Sequence, residues 1–418
     1  MKNISHYQNE IGKSAKTFKG LATLQKKGLE RLEKLEIPTR KNEDWKYTNL
    51  APMLENNYQF KVNQTTAFPK DYISLDENFD HFYFLDGVLQ NDISDKTTVT
   101  ASALHELSEN QVQHFSQDKH YFKNDFSHVL NQAALSNGYL FKVKKNDQCT
   151  KPVICHYYFS TPNSHINITN YYQCDENSQL NILEIFHSRD PLYINLSNNV
   201  FLEQTARFYQ TTIQDCHQDS LYLQNTNTQV RADAHFENVH LTIGAKVSRT
   251  NLYTDLQQEG AGAQIHGLYS LQGDQHNDTM SYTKHSAPHT HSNQLYKGIL
   301  KDNSKGIFTG RVRVQKEAQQ ITAGQLNKNL LLSPKAHTYS RPQLEIFADD
   351  VKCTHGSTTG QLSHDQLFYF QARGISKDKA MLILANAFSN DVLFKITNRI
   401  VRDFSLKYLA QKKVTAHD

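Results

Sequence analysis

The sequence predicts a mainly β fold: a parallel (right-handed) β-helix core flanked by helical N- and C-terminal segments. Three observations carry this. From roughly residue 80 to 365 the chain reads as short alternating or β-branched runs, among them "HFYFLDGVL", "QLNILEIF", "VHLTIGAKVSRTNLYTDL", "AQIHGLYSL", "GIFTGRVRV" and "QLEIFADDVKC". Gly, Asn, Asp, Ser and Pro separate the runs, and no helix-length pattern interrupts them after about residue 140. An ordinary sandwich of that length would leave long exposed edges, and hairpin signals are sparse, with Asn137-Gly138 the one Asn-Gly step. A parallel coil leaves edges only at its two ends. The helical period appears on either side of this region alone. We divide the chain at 1–80, 81–365 and 366–418.

In the first segment, "AKTFKGLATLQKKGLERLEKLE" spaces Leu21, Leu24, Gly28, Leu32 and Leu35 by three and four. This is one face of an amphipathic helix from Ala15 to Glu36, expected to pack on the larger body. Pro38 ends it, and the single tryptophan, Trp45, follows. In the coil, Val, Leu, Ile and Ala are expected inside and Thr, Gln, Asn and His outside, with irregular turns because no repeat length is evident. After Gly374, Ser376 is a cap candidate for "KDKAMLILANAF". A second helix is expected from near Asn390, with Leu393, Ile396, Ile400, Phe404 and Tyr408 on one face. The two helices either cap the coil or present an apolar groove.

Composition excludes several function classes. The 45 basic and 42 acidic residues nearly balance, and no basic stripe with interleaved aromatics points to nucleic acid. The N-terminus lacks an apolar export core and "AMLILANAF" is far too short for a membrane span, so a cytoplasmic protein without membrane contact is expected. No P-loop, dinucleotide fingerprint, H-E-x-x-H or G-x-S-x-G occurs, so neither catalytic nor cofactor-binding residues are assigned and no ATPase is expected. The five cysteines (149, 155, 174, 216 and 353) include no C-x-x-C and read as free thiols.

Two constellations stand out. His285, His289 and His291 in "HSAPHTHSNQLYKGIL" offer a His-x-His pair, although Pro288 marks a turn and surface hydrogen bonding is the simpler reading. In "LEIFADDVKCTHGSTTGQL" the strand period places Val351, Cys353 and His355 on one face, setting a thiol beside an imidazole. A closed zinc or iron–sulfur site takes four ligands, so this pair needs the rest from another chain.

The segments "IPTRKNEDWKYTNL" (37–50), "HSAPHTHSNQLYKGIL" (285–300), "GRVRVQKEAQQITAGQLNKNLLLS" (310–333), "RPQLEIFADDVKCTHGSTTGQL" (341–362) and "LFYFQARGIS" (367–376) span nearly the whole chain. In them the sequence resembles the SufB/SufD family of iron–sulfur cluster assembly proteins, and closely its SufD branch. "CTHG" and the lack of any cysteine before 149 favour D over B. The resemblance implies a non-catalytic scaffold subunit that pairs with SufB and docks the SufC ATPase through its C-terminal helices. Arg373, Gly374, Met381, Leu384 and Phe388 stand at the position of that dock. It implies that His355, with Cys353 beside it, serves a nascent iron–sulfur cluster shared with SufB. Such a cluster is transient and confined to the complex, with none expected on the isolated chain, where a homodimer is plausible. The competing readings are a stand-alone histidine-rich metal-binding or iron-donor protein and a carbohydrate-active β-helix enzyme.

Overall fold

Parallel strand pairing organises the molecule between Asp80 and Gln361. The computed structural model describes the chain apart from residues 1–10, 12–20, 51–57, 61–66, 75, 92–93, 96, 109–110, 112–120, 122–124 and 413–418. Successive strands alternate between a ten-stranded and a nine-stranded sheet, and each pairs with the next but one. Val247–Leu256, for example, lies in register between Leu221–Val230 and His276–His285. The result is a β-solenoid of about 8 turns flanked by helices at both ends, as expected from the alternating runs.

Among the described residues, only the first end departs from parallel pairing. Asp80–Leu85 turns back on Val88–Leu89, and Thr100–Ala103 pairs antiparallel with Asn137–Val143. The hairpin bends at Asp86-Gly87, with φ of 49° and 84°, so the Asp-Gly step inside "HFYFLDGVL" was a readable turn signal. Elsewhere many corners fall on Asn or Asp, among them Asn146, Asn163, Asn177, Asp233 and Asp302 at positive φ, while Thr205, Ala245, His289 and Gln320 hold others. Asn and Asp tolerate that conformation because their short polar side chains bond locally, which explains the residues that punctuate the strands. Leu221 pairs with Val247 and Lys305 with His337, so turns differ in length and no sequence repeat results.

The interior corrects one expectation. Its first turns hold stacked aromatics, Tyr157 lying 4.4 Å from Phe84 and 4.5 Å from Phe186. Farther along, Glu184, Gln210, Asn238, His240, Gln294 and Gln325 are buried on the inward face, where aliphatic residues were expected. Gln210 and Asn238 share the strand faces of Phe208 and Phe236, which belong to the central core. In-register stacking makes such polar positions tenable, because neighbours on successive turns bond to each other. Asn238 Nδ2 donates to Gln210 Oε1 at 3.0 Å, and Gln210 Nε2 to Glu184 Oε2 at 2.8 Å.

Helix α1 (Ala22–Leu32) packs on α2 (Phe126–Ala133) against the outer face of the nine-stranded sheet. Residues 15–20 of the expected helix lie outside the described residues, and α1 ends at Leu32, short of Glu36. Gly28 lies so close to α2 that a Cβ there would sit 2.7 Å from Ala133 N. Trp45 is buried with Leu32, Leu50, Phe126, Leu221, Leu223 and Val247. The Arg249 guanidinium stacks on its indole at 4.0 Å and pairs with Asp278.

Three helices follow the last strand: α3 (His364–Gln371), α4 (Lys377–Leu393) and α5 (Arg399–Gln411). Ser376 caps α4, accepting from Lys379 N at 3.4 Å. The expected second helix starts later than Asn390. The α4 helix runs on to Leu393, Ile396 is buried in the turn, and Asn398 caps α5 by accepting from Ile400 N and Val401 N.

Helices α4 and α5 settle onto a flank of the solenoid and leave its end uncovered. Ala385, Val392, Leu393, Ile396, Val401 and Leu409 join Ile213, Val239, Leu268 and Leu295 of the ten-stranded sheet in one apolar cluster. Three charged side chains fix them there. Lys297 Nζ donates to Phe388 O at 2.8 Å and pairs with Asp391. Glu237 accepts from Thr397 N at 3.0 Å and Thr397 Oγ1 at 2.5 Å. Asp215 receives Tyr408 Oη at 2.7 Å, Lys412 Nζ at 2.7 Å and His187 Nδ1 at 3.0 Å.

Candidate functional site at the open end of the solenoid

Val351–Gln361 is the last strand of the ten-stranded sheet and pairs on one side only, with Ile321–Leu331. His337–Ile346 ends the other sheet in the same way. Val351–Gln361 is largely exposed and His337–Ile346 mostly half-buried, while Tyr339 and Phe347 show 47% and 56% of their surface to solvent. Unpaired edges with exposed aromatics are what a sheet presents when another chain extends it.

The shared face of Val351, Cys353 and His355 is the inward one. Val351 and Cys353 pack against the core formed by Val312, Val314, Ile321 and Ala323. One step on, His355 stands in register with Gln325 and is exposed. Burial pushes the Cys353 thiol above its ordinary pKa, so it ligates only once a metal displaces its proton. Among the described residues no three His, Cys, Asp or Glu side chains group as a metal site. The pair thus offers two donors at the last turn of the coil, a half-buried thiol and an exposed imidazole. The other four cysteines are buried, and burial raises each thiol pKa.

The histidines of "HSAPHTHSNQLYKGIL" serve the turn. His285 is buried, its ring bonded to Thr290 Oγ1 at 2.7 Å and Ser292 Oγ at 2.9 Å, and burial pushes its pKa down to about 4. His289 occupies a corner at φ 57°, 3.7 Å from Glu259, while His291 stacks on His235.

Of the residues assigned to a helical dock, Arg373 is exposed and stacks on Tyr369 at 4.3 Å. Gly374 closes α3 at φ 77°. Met381 and Leu384 are half-buried, whereas Phe388 turns toward the solenoid beneath Lys297 at 4.3 Å. The apolar surface that α3 and α4 show to solvent is instead Phe368 (64% exposed), Tyr369 (53%) and Ile383 (36%). Sequence reasoning passed over the first two, although the aromatic run "LFYF" on a short polar helix was the available signal.

With this geometry in view, comparison with known proteins is specific. The family described as "SUF system FeS cluster assembly, SufBD core domain" matches residues 159–388, and "SufBD protein N-terminal region" matches 4–154. The iron–sulfur cluster assembly protein SufD of Escherichia coli is 26% identical over 391 residues, covering 91% of this chain and 89% of its own length. A SufBD family protein of Synechocystis is also 26% identical, over 87% of this chain and 85% of its own. The chloroplastic protein ABCI7 of Arabidopsis thaliana is 33% identical over 55% of this chain and 49% of its own. Solenoid, flanking helices and sequence agree: the chain belongs to the SufB/SufD family of the SUF iron–sulfur cluster assembly system, on its SufD branch.

Proposed function

We propose that this chain is a non-catalytic scaffold subunit of a cytoplasmic SUF complex. It pairs with a SufB-type chain through the open end of its solenoid and docks a SufC-type ATPase on α3 and α4. It presents His355, with Cys353 beside it, to the nascent cluster that the complex builds. The observation that carries this reading is the uncovered last turn, where two strand edges are unpaired and His355 is exposed on one of them. An incomplete ligand pair at an interface edge is what a shared site requires of one of its two halves. The cluster is cargo here, held only in the complex. Alone, the same edge allows a second copy to take the partner's place.

Among the described residues no helix is long and apolar enough to cross a membrane. Co-expression with SufB- and SufC-type chains, purification, and iron and acid-labile sulfide analysis test the reading. A three-chain complex carrying both elements is expected, with little metal on the isolated chain. Failure to capture either partner, or stoichiometric metal on the chain alone, overturns it.

A further inference from the structure

The polar interior of the solenoid has more hydrogen-bonding capacity than its own side chains satisfy. Both ring nitrogens of His240, both polar side-chain atoms of Asn198 and Gln325, the hydroxyls of Thr228 and Thr250, and Gln294 Oε1 are buried. None of these atoms has a hydrogen-bond partner among the described residues. Buried polar atoms without partners are rare, and ordered water is their usual complement.

Register sets part of the group in one row, interrupted by the apolar Ile265. Gln294 pairs with Gln325, and Asn238 and Gln210 continue the same row beyond Ile265. Gln210 reaches the carboxyl of Glu184, which also accepts from Tyr172 Oη at 2.5 Å. Midway, a cavity of about 10 Å³ is lined by His240, Thr250, Gly267, Tyr269, Thr279 and Tyr296, the room and the donors that one water needs. Glu184 is fully buried, and the titratable groups around it are Cys155, Tyr157, Tyr172 and Tyr222, with no cation among them. From the strand of Glu184 to the open end spans six strand spacings in the ten-stranded sheet, about 29 Å at roughly 4.8 Å each.

We propose that the solenoid core is a water-binding column, centred on the cavity beside His240 and running from Glu184 to the open end at Gln325. The column is a property of the interior and is independent of the role proposed for His355. Its waters enter at the uncovered last turn, where Gln325 lies behind the exposed final strand.

X-ray hydroxyl-radical footprinting of the full chain tests this directly, because radiolysis of a bound water oxidises the side chain beside it even when that side chain is buried. Tyr296 and Tyr269 line the cavity and are only 3% and 1% exposed, and Phe84, 0% exposed in the aromatic stack, is the internal control. Labelling of Tyr296 and Tyr269 at least tenfold faster than Phe84, after correction for intrinsic reactivity, is expected. Mixing with heavy-oxygen water before exposure should place the heavy isotope in the Tyr296 adduct, because the column exchanges with bulk solvent. Thr250→Val, which removes one donor at nearly constant volume, should cut that labelling severalfold with circular dichroism unchanged. Labelling of both tyrosines no faster than Phe84 in the unaltered chain overturns the proposal whether or not the variant folds. So does a Tyr296 adduct that takes up no heavy isotope.

Discussion

His355 and Gln325 occupy one register position on the last two strands of the ten-stranded sheet, the imidazole exposed and the amide buried. This places His355 at the boundary between the solenoid interior and whatever covers its end. An exposed strand residue contributes little to stability, so His355→Ala should change unfolding free energy by no more than about 0.5 kcal/mol.

Cluster yield is where that substitution should act. Loss of a ligand leaves iron open to water and exchange, and iron and sulfide per intact three-chain complex should fall at least about tenfold. Assembly itself should survive, since one side chain seldom decides a large interface. Cys353→Ser separates two roles for the thiol: a small loss if it only packs against Ala323, a loss equal to that of His355→Ala if it ligates. Undiminished iron and sulfide in His355→Ala would remove the residue from the mechanism.

The exposed aromatics of α3 set the second expectation. Phe368→Ala with Tyr369→Ala should weaken SufC capture by about 2 kcal/mol or more, because aromatic anchors dominate interfaces. Phe388→Ala should instead lower the chain's own stability, since its ring lies under Lys297. Titration calorimetry of SufC binding and denaturant melts read the two effects separately. Unchanged SufC affinity in the double variant would place the dock elsewhere.

Removing the chain beyond Gly374 uncovers Ile213, Val239, Leu268 and Leu295 along one sheet. The shortened chain should therefore aggregate, visible by light scattering, where a chain that merely lost a docking tail would remain a folded monomer or dimer. A monodisperse truncated chain would show that α4 and α5 are dispensable to the solenoid.

Asp215 gives the acid response of the helical anchor. Burial raises its pKa, but the hydrogen bonds from His187, Lys412 and Tyr408 outweigh burial and hold it below the ordinary carboxylate value of 3.8. A carboxylate with a depressed folded pKa stabilises above its unfolded pKa, and that stability is lost as pH falls through the folded value. Asp215→Asn should therefore cost about 2 kcal/mol at pH 7 and less at an acid pH below the folded pKa of Asp215. Hydrogen exchange of α5 amides should rise in step at neutral pH. An equal penalty at both pH values would contradict the assignment.

The coil was legible because a side-chain period of two and the Asn and Asp corners are local properties. The same period put Cys353 and His355 on one face. Family segments distributed from residue 37 to 376 then pointed to the SUF system. What could not be read was which face each polar run would take. Asn238 alternates with its neighbours as an outward residue would, yet it points inward, because stacking in register supplies a partner from the preceding turn, Gln210, 28 residues away. Nor does helical period say where a helix will lie. The apolar outer positions Ile213, Val239, Leu268 and Leu295 come from separate turns and form a continuous surface only once the solenoid is wound. That surface draws α4 and α5 to the flank, and their departure from the end is what leaves His355 uncovered.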